Sequence, residues 1–127
     1  MISSRLPAAV VLALALAACG PDTGAETERI RTVEGGDAER GRAAVIAYGC
    51  ASCHVVPDVD GVDDERVAPD LTDFADRDVI AGHVPNRPEE LITWLRNPKD
   101  IAPGTLMPDL GVTEQDARDL AAFLYTQ

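Results

Sequence analysis

The sequence predicts an all-α domain of three main helices joined by loops, with the first and last helices crossing. Three observations carry that expectation. Apolar residues recur at helical spacing in residues 37–49, 88–96 and 113–126. Each stretch opens on a residue suited to start a helix, and the first two close on one suited to stop it. Aromatic side chains are few, namely Tyr48, Phe74, Trp94, Phe123 and Tyr125, so 127 residues of this composition close over one small core.

Residues 1–18 read as a targeting segment. Arg5 gives it a positive start, and residues 6–18 form an apolar run shorter than a membrane span. The run ends in Leu16-Ala17-Ala18-Cys19, which resembles the lipobox of bacterial lipoproteins. That resemblance implies cleavage before Cys19 and diacylation of its sulfur, and two or more acyl chains hold a protein stably where one holds it marginally. Residues 19–36 then form the lipidated cysteine and a polar tether without sustained period, and residues 37–127 the domain. The other reading is an ordinary signal peptide followed by a free cysteine.

Asp37 suits the N-cap of the first helix and Glu39 its first turn. Gly41 with Val45, and Ala44 with Tyr48, give one apolar stripe. A glycine inside a helix is unfavourable by about 1 kcal/mol against alanine, which makes sense where another helix crosses closely. Gly49 ends the helix, and the chain enters Cys50-Ala51-Ser52-Cys53-His54. Two thiols three residues apart, followed by an imidazole, match a covalent haem c attachment: each cysteine forms a thioether to a porphyrin vinyl group and the histidine reaches the iron. A redox dithiol belongs near a βαβ pattern, and nothing nearby reads as parallel strands. A zinc site needs four ligands as a rule, and apart from Cys19 the cysteines and histidines are Cys50, Cys53, His54 and His83.

Residues 55–66 read as an acidic surface loop with Pro57 and Gly61 at its turns. In Ala68-Pro69-Asp70-Leu71 the Pro69 carbonyl can accept from Nδ1 of His54, which would fix the tautomer and make Nε2 the iron ligand; Leu71 is expected against the ring. Residues 72–84 read as irregular or weakly helical. Pro88 at N1 and Glu89-Glu90 in the first turn open the second helix, where Leu91 and Leu95 share a face with Trp94 beside them, and Asn97-Pro98 stops it. The indole N–H of Trp94 needs a partner if buried, a haem propionate being the obvious one and plain core packing the alternative. Residues 101–111 form a loop stiffened by Pro103, Gly104 and Pro108. It carries Met107, the only methionine besides Met1, and suits Met107 as second iron ligand better than His83, whose flanks read as an exposed loop. Thr113 and Asp116 have capping-box-like spacing at the last helix, with Val112 as a staple before the cap. Ala117, Leu120, Ala121 and Leu124 form its buried stripe, with Phe123 on the flank. This helix is expected to cross the first near Gly41, Phe123 or Leu124 filling the space the glycine leaves.

An iron held by His54 and Met107 has no open position, which points to one-electron transfer and away from an enzyme. Methionine in place of a second histidine raises the potential. With 22 acidic against 11 basic residues and a formal charge of −11, the chain is not expected to bind nucleic acid, whose phosphates would repel it.

Residues 37–125 resemble a class I bacterial cytochrome c through Gly41, Val45, Cys50-Ala51-Ser52-Cys53-His54, Pro69-Asp70-Leu71 and Met107-Pro108. Residues 68–124 are more closely similar to the cytochrome c domain fused to subunit II of caa3-type haem–copper oxidases. The phrases that carry this include Pro69-Asp70-Leu71-Thr72-Asp73-Phe74, Pro85-Asn86-Arg87-Pro88-Glu89-Glu90-Leu91, Trp94-Leu95-Arg96-Asn97-Pro98 and Gly104-Thr105-Leu106-Met107-Pro108. Ala68, Asp73 and Ala75 depart from that pattern. The resemblance implies one covalent haem c and passage of electrons toward an oxidase. The expectation is a monomeric carrier outside the cytoplasm, anchored through lipid on Cys19, on the periplasmic side of the inner membrane where the cell has two. It would run between a quinol-oxidising complex or dehydrogenase and a haem–copper oxidase. The alternatives are a dedicated haem subunit of one dehydrogenase, a haem enzyme or gas sensor with a labile Met107, and a structural lipoprotein.

Overall fold

The computed structural model describes residues 31–62 and 67–127. Residues 1–18, expected as a signal segment, Cys19 and residues 20–30, expected as lipid site and tether, and residues 63–66 of the expected acidic loop lie outside the described residues. The elements are α1 (Ala38–Ala47), β1 (Val79–Ile80), β2 (Val84–Pro85), α2 (Pro88–Arg96), the single-turn α3 (Pro98–Ile101) and α4 (Glu114–Leu124).

Each main helix begins where its first residues dictate. The Asp37 carboxylate accepts from Arg40 N at 2.8 Å at the start of α1, and Pro88 occupies the first turn of α2. The Thr113 hydroxyl oxygen accepts from Asp116 N at 3.2 Å at the start of α4. The Asp116 carboxylate does not return to the cap's backbone as in a full capping box; it takes the Thr113 hydroxyl at 2.7 Å instead. Gly49, at φ +69°, turns the chain out of α1.

The core lies where α1 crosses α4. Gly41, Ala44 and Val45 are buried on one helix, and Ala117, Leu120, Ala121, Phe123 and Leu124 on the other. A Cβ on Gly41 would lie 2.0 Å from the Asp119 carbonyl oxygen and 2.7 Å from the Phe123 Cβ, so backbone rather than a side chain is the nearest neighbour. Asp119, an acid on the last helix, is itself buried. It takes Arg40 Nε and Nη2, each at 2.8 Å, the Asp37 amide at 2.9 Å and Gln115 Nε2 at 3.1 Å. Burial of a carboxylate is tolerated when charge and hydrogen bonds answer it this fully.

Contacts with the domain start ahead of residue 37. Val33 is buried, Arg118 Nη1 donates to Glu34 O at 3.2 Å and Gln115 Nε2 to Gly35 O at 2.9 Å, so residues 33–36 are strapped along α4. Residues 72–84, expected irregular or weakly helical, hold a 3₁₀ turn at Phe74–Asp76 and then the hairpin β1–β2. The strands are antiparallel, Val79 opposite Pro85 and Ile80 opposite Val84. The residues between include Ala81 at φ +53° and Gly82 at φ +70°, the left-handed pair of a tight hairpin turn. The described chain is thus mainly helical, with a class I cytochrome c-like arrangement and one small hairpin. No helix among the described residues is long and apolar enough to cross a membrane.

Candidate functional site

A cleft of about 390 Å³ opens between the C-terminal end of α1, the segment at residues 67–69, Trp94 of α2 and the loop at residues 105–110. None of its fifteen lining residues is Asp, Glu, Lys or Arg, in a chain where 26% of residues are charged. The lining is therefore a selected environment rather than a sample of the surface.

The thiol segment is wound tightly. Past Gly49 the chain makes a 3₁₀ turn at Cys50–Ser52, with Cys53 N at 3.2 Å and His54 N at 3.0 Å from Cys50 O. The following loop passes close beneath: Val62 N donates to Ala51 O at 2.9 Å, and a Cβ on Gly61 would stand 2.2 Å from that oxygen. Cys50, Cys53 and His54 all line the cleft, and no disulfide joins the two cysteines. Burial pushes the Cys50 thiol above its ordinary value.

Nδ1 of His54 donates to the Pro69 carbonyl at 2.6 Å. A carbonyl only accepts, so in the neutral ring this contact selects the tautomer with its proton on Nδ1 and its lone pair on Nε2. Met107 lines the same cleft from the 105–110 loop. Its amide donates to Thr105 Oγ1 at 3.1 Å, Thr105 N to Ala102 O at 2.9 Å, and Ala102 N to Pro98 O at 2.9 Å. The methionine loop thus hangs from α3, which overlaps the expected loop of residues 101–111 only at Ile101.

Pro69 and Trp94 line the cleft as well. Trp94 is half-buried, and its indole makes no hydrogen bond among the described residues. Leu71 does not line the cleft; it is partly buried against the core, and its amide donates to Val55 O at 2.8 Å. His83 is exposed at the hairpin, with Nδ1 donating to Ala81 O at 2.6 Å. Among the described residues no three His, Cys, Asp or Glu side chains gather as a metal cluster requires.

Sequence reasoning missed the rest of the rim. Tyr48, by spacing a residue of the helix stripe, forms a wall of the cleft, and its hydroxyl donates to Asp116 Oδ2 at 2.7 Å. Leu106 is 95% exposed and Val67 74%, and both line the cleft mouth with Leu110. Apolar loop residues without period give no signal that they share a surface.

Residues 38–127 match the family profile described as "Cytochrome c". The chain belongs to the cytochrome c family, a family of electron-transfer rather than catalytic domains. It is similar to the cytochrome c oxidase subunit 2 of Alkalihalophilus pseudofirmus, with 34% identity over 88 residues, 68% of this chain and 25% of that one. The subunit 2 of Bacillus sp. strain PS3 is 40% identical over 65 residues, 50% of this chain and 18% of that one. That of Bacillus subtilis is 33% identical over 91 residues, 68% and 26%. The chain therefore spans at most about a quarter of the length of these curated relatives. No solved structure matches it.

The residues present fit a haem c. The Cys-x-x-Cys spacing stands on a cleft wall, an imidazole with a free Nε2 follows it, a thioether shares the cleft, and an indole N–H is left over for a polar edge.

Proposed function

We propose that the chain is a one-electron carrier holding a single haem c, tied through Cys50 and Cys53 and ligated by Nε2 of His54 and the sulfur of Met107. The observation that carries this reading is the convergence of those four side chains on one uncharged cleft, with Nδ1 of His54 already engaged by Pro69. Bound there, haem supplies reversible one-electron chemistry at its iron. The protein's part is positional. The Pro69 carbonyl orients the His54 ring and strengthens it as a donor. Thr105 holds the backbone of Met107, the rim of Val67, Leu106 and Leu110 keeps water from the ring, and Trp94 offers its indole N–H to a propionate.

The kinship with subunit 2 of cytochrome c oxidases supports delivery of electrons to a haem–copper oxidase, from a quinol-oxidising complex or a dehydrogenase. We place the carrier outside the cytoplasm, tethered through lipid on Cys19, where confinement near membrane partners raises its effective concentration.

The test is expression with haem c maturation. One covalent haem per chain is expected by mass and by alkaline pyridine spectrum, and Met107→Ala should remove the sulfur-to-iron absorption band and lower the potential. A chain without covalent haem, or a variant with unchanged band and potential, defeats the assignment. Pull-down of the haem-loaded protein from native membranes identifies the partner, oxidase subunits being the expected catch.

A further inference from the structure

We propose that Asn86 is a positioning residue for His54, acting at a distance through Arg77 and the turn that follows Pro69. The proposal rests on the reading of His54 as the iron ligand.

Asn86 is buried, 6% exposed, and does not line the cleft. Its Nδ2 donates to two backbone carbonyls, Phe74 O and Arg77 O, each at 3.0 Å. Carbonyls only accept, so the amide nitrogen must face them and Oδ1 must face away. There the Tyr125 hydroxyl donates to it at 3.1 Å, and burial keeps that phenol protonated by pushing it well above its ordinary value. Both amide hydrogens and the oxygen are engaged, which fixes the side chain in one orientation.

What it grips is the turn Phe74–Asp76, entered through Asp73 at φ +54°, a conformation that favours glycine. With that turn held, Arg77 reaches back: its guanidinium lies 5.6 Å from the Phe74 ring centroid, and Nη2 donates to Asp70 O and, at 3.4 Å, to Thr72 O. Leu71 between them is tied to Val55. The three residues after Pro69 are thus fixed through their backbone, and Pro69 itself carries the oxygen that accepts from His54 Nδ1. A connected path of named contacts runs from Tyr125 through Asn86 and Arg77 to the histidine.

A hydrogen bond to Nδ1–H makes an imidazole a stronger donor and favours the oxidised iron. Loosening the path should weaken that bond and raise the potential. A merely structural asparagine would change stability and leave the iron alone.

The experiment uses the haem-loaded protein. The hyperfine-shifted ring resonances of His54 are read first in the wild type. Their absence overturns the ligand reading itself, and this proposal with it. With them present, Asn86→Ala and Arg77→Met are compared by the exchange rate of His54 Nδ1–H and by redox titration. We expect faster exchange in both, and a reduced-to-oxidised ratio about threefold higher at fixed ambient potential, about 28 mV at 59 mV per decade. A folded Asn86→Ala protein with the wild-type exchange rate and potential overturns the positioning role. If Asn86→Ala fails to take up haem, Arg77→Met, which leaves the bonds of Asn86 in place, decides in the same way.

Discussion

The hydroxyl of Tyr48 donates to Oδ2 of Asp116 at 2.7 Å, joining the wall of the cleft to the first turn of α4. Asp116 also takes the Thr113 hydroxyl. Thr113 first and Tyr48 second hold its carboxyl below the ordinary value. A group whose folded value is depressed stabilises the fold above its unfolded value, about 3.9, and loses that contribution as pH falls through the folded value. Tyr48→Phe should therefore raise the Asp116 titration midpoint by NMR. It should also lower the urea midpoint at pH 7, with the variant and wild-type curves converging below the folded value.

The closeness of α1 to α4 makes position 41 intolerant. Gly41→Ala would drive a methyl into the Asp119 carbonyl, and backbone on a packed helix cannot step aside. The expected loss is roughly 3 kcal/mol, seen as a fall in Tm of roughly 12–24 °C. Gly49 is the contrast: it has φ +69° but nothing within 4 Å of a built Cβ, so Gly49→Ala should lose only about 1 kcal/mol through strain.

Asp119 is the buried tie between the two ends of the domain, its side chain 4% exposed against 60% for Arg40. The Arg40 hydrogen bond is the largest cause of its lowered pKa. Asp119→Ala should destabilise by about 2 kcal/mol, leaving the Asp37 amide without its partner. Asp119→Asn should flatten the dependence of stability on pH below about 4, because the wild-type contribution is the one lost as pH falls through the depressed folded value. Urea unfolding from pH 2 to 7 checks both.

Leu106 stands on the cleft rim almost fully exposed. Leu106→Asp should leave stability within about 0.5 kcal/mol while adding a charge to a rim that has none. On the proposed function, stopped-flow oxidation by a haem–copper oxidase should slow at least tenfold. A rate equal to wild type would exclude this rim as the docking face.

What the sequence disclosed follows from how local each feature is. Cys50, Cys53 and His54 were readable because five consecutive residues hold the whole pattern. The helices were readable because Asp37, Pro88 and Thr113 mark their starts beside periodic stripes. The hairpin was not, since two-residue strands are too short to show alternation and Ala81 sits in a conformation usually left to glycine. Asp119 would be taken for a solvent-facing acid, because its partner Arg40 lies 79 residues away. Leu71 shows the limit of a motif: Pro69-Asp70-Leu71 placed its backbone, but which way the side chain faces is decided by the core it meets.

Arg40 and Asp119 close the domain by joining residues from its two ends. Until α4 has been synthesised, α1 lacks the Asp119 backbone that packs against Gly41, and Tyr48 lacks its acceptor Asp116. Long-range closure of this kind comes late in folding. On the proposed function, this topology leaves the two thiols within reach of haem attachment before the ends of the domain meet, so attachment is expected to precede closure.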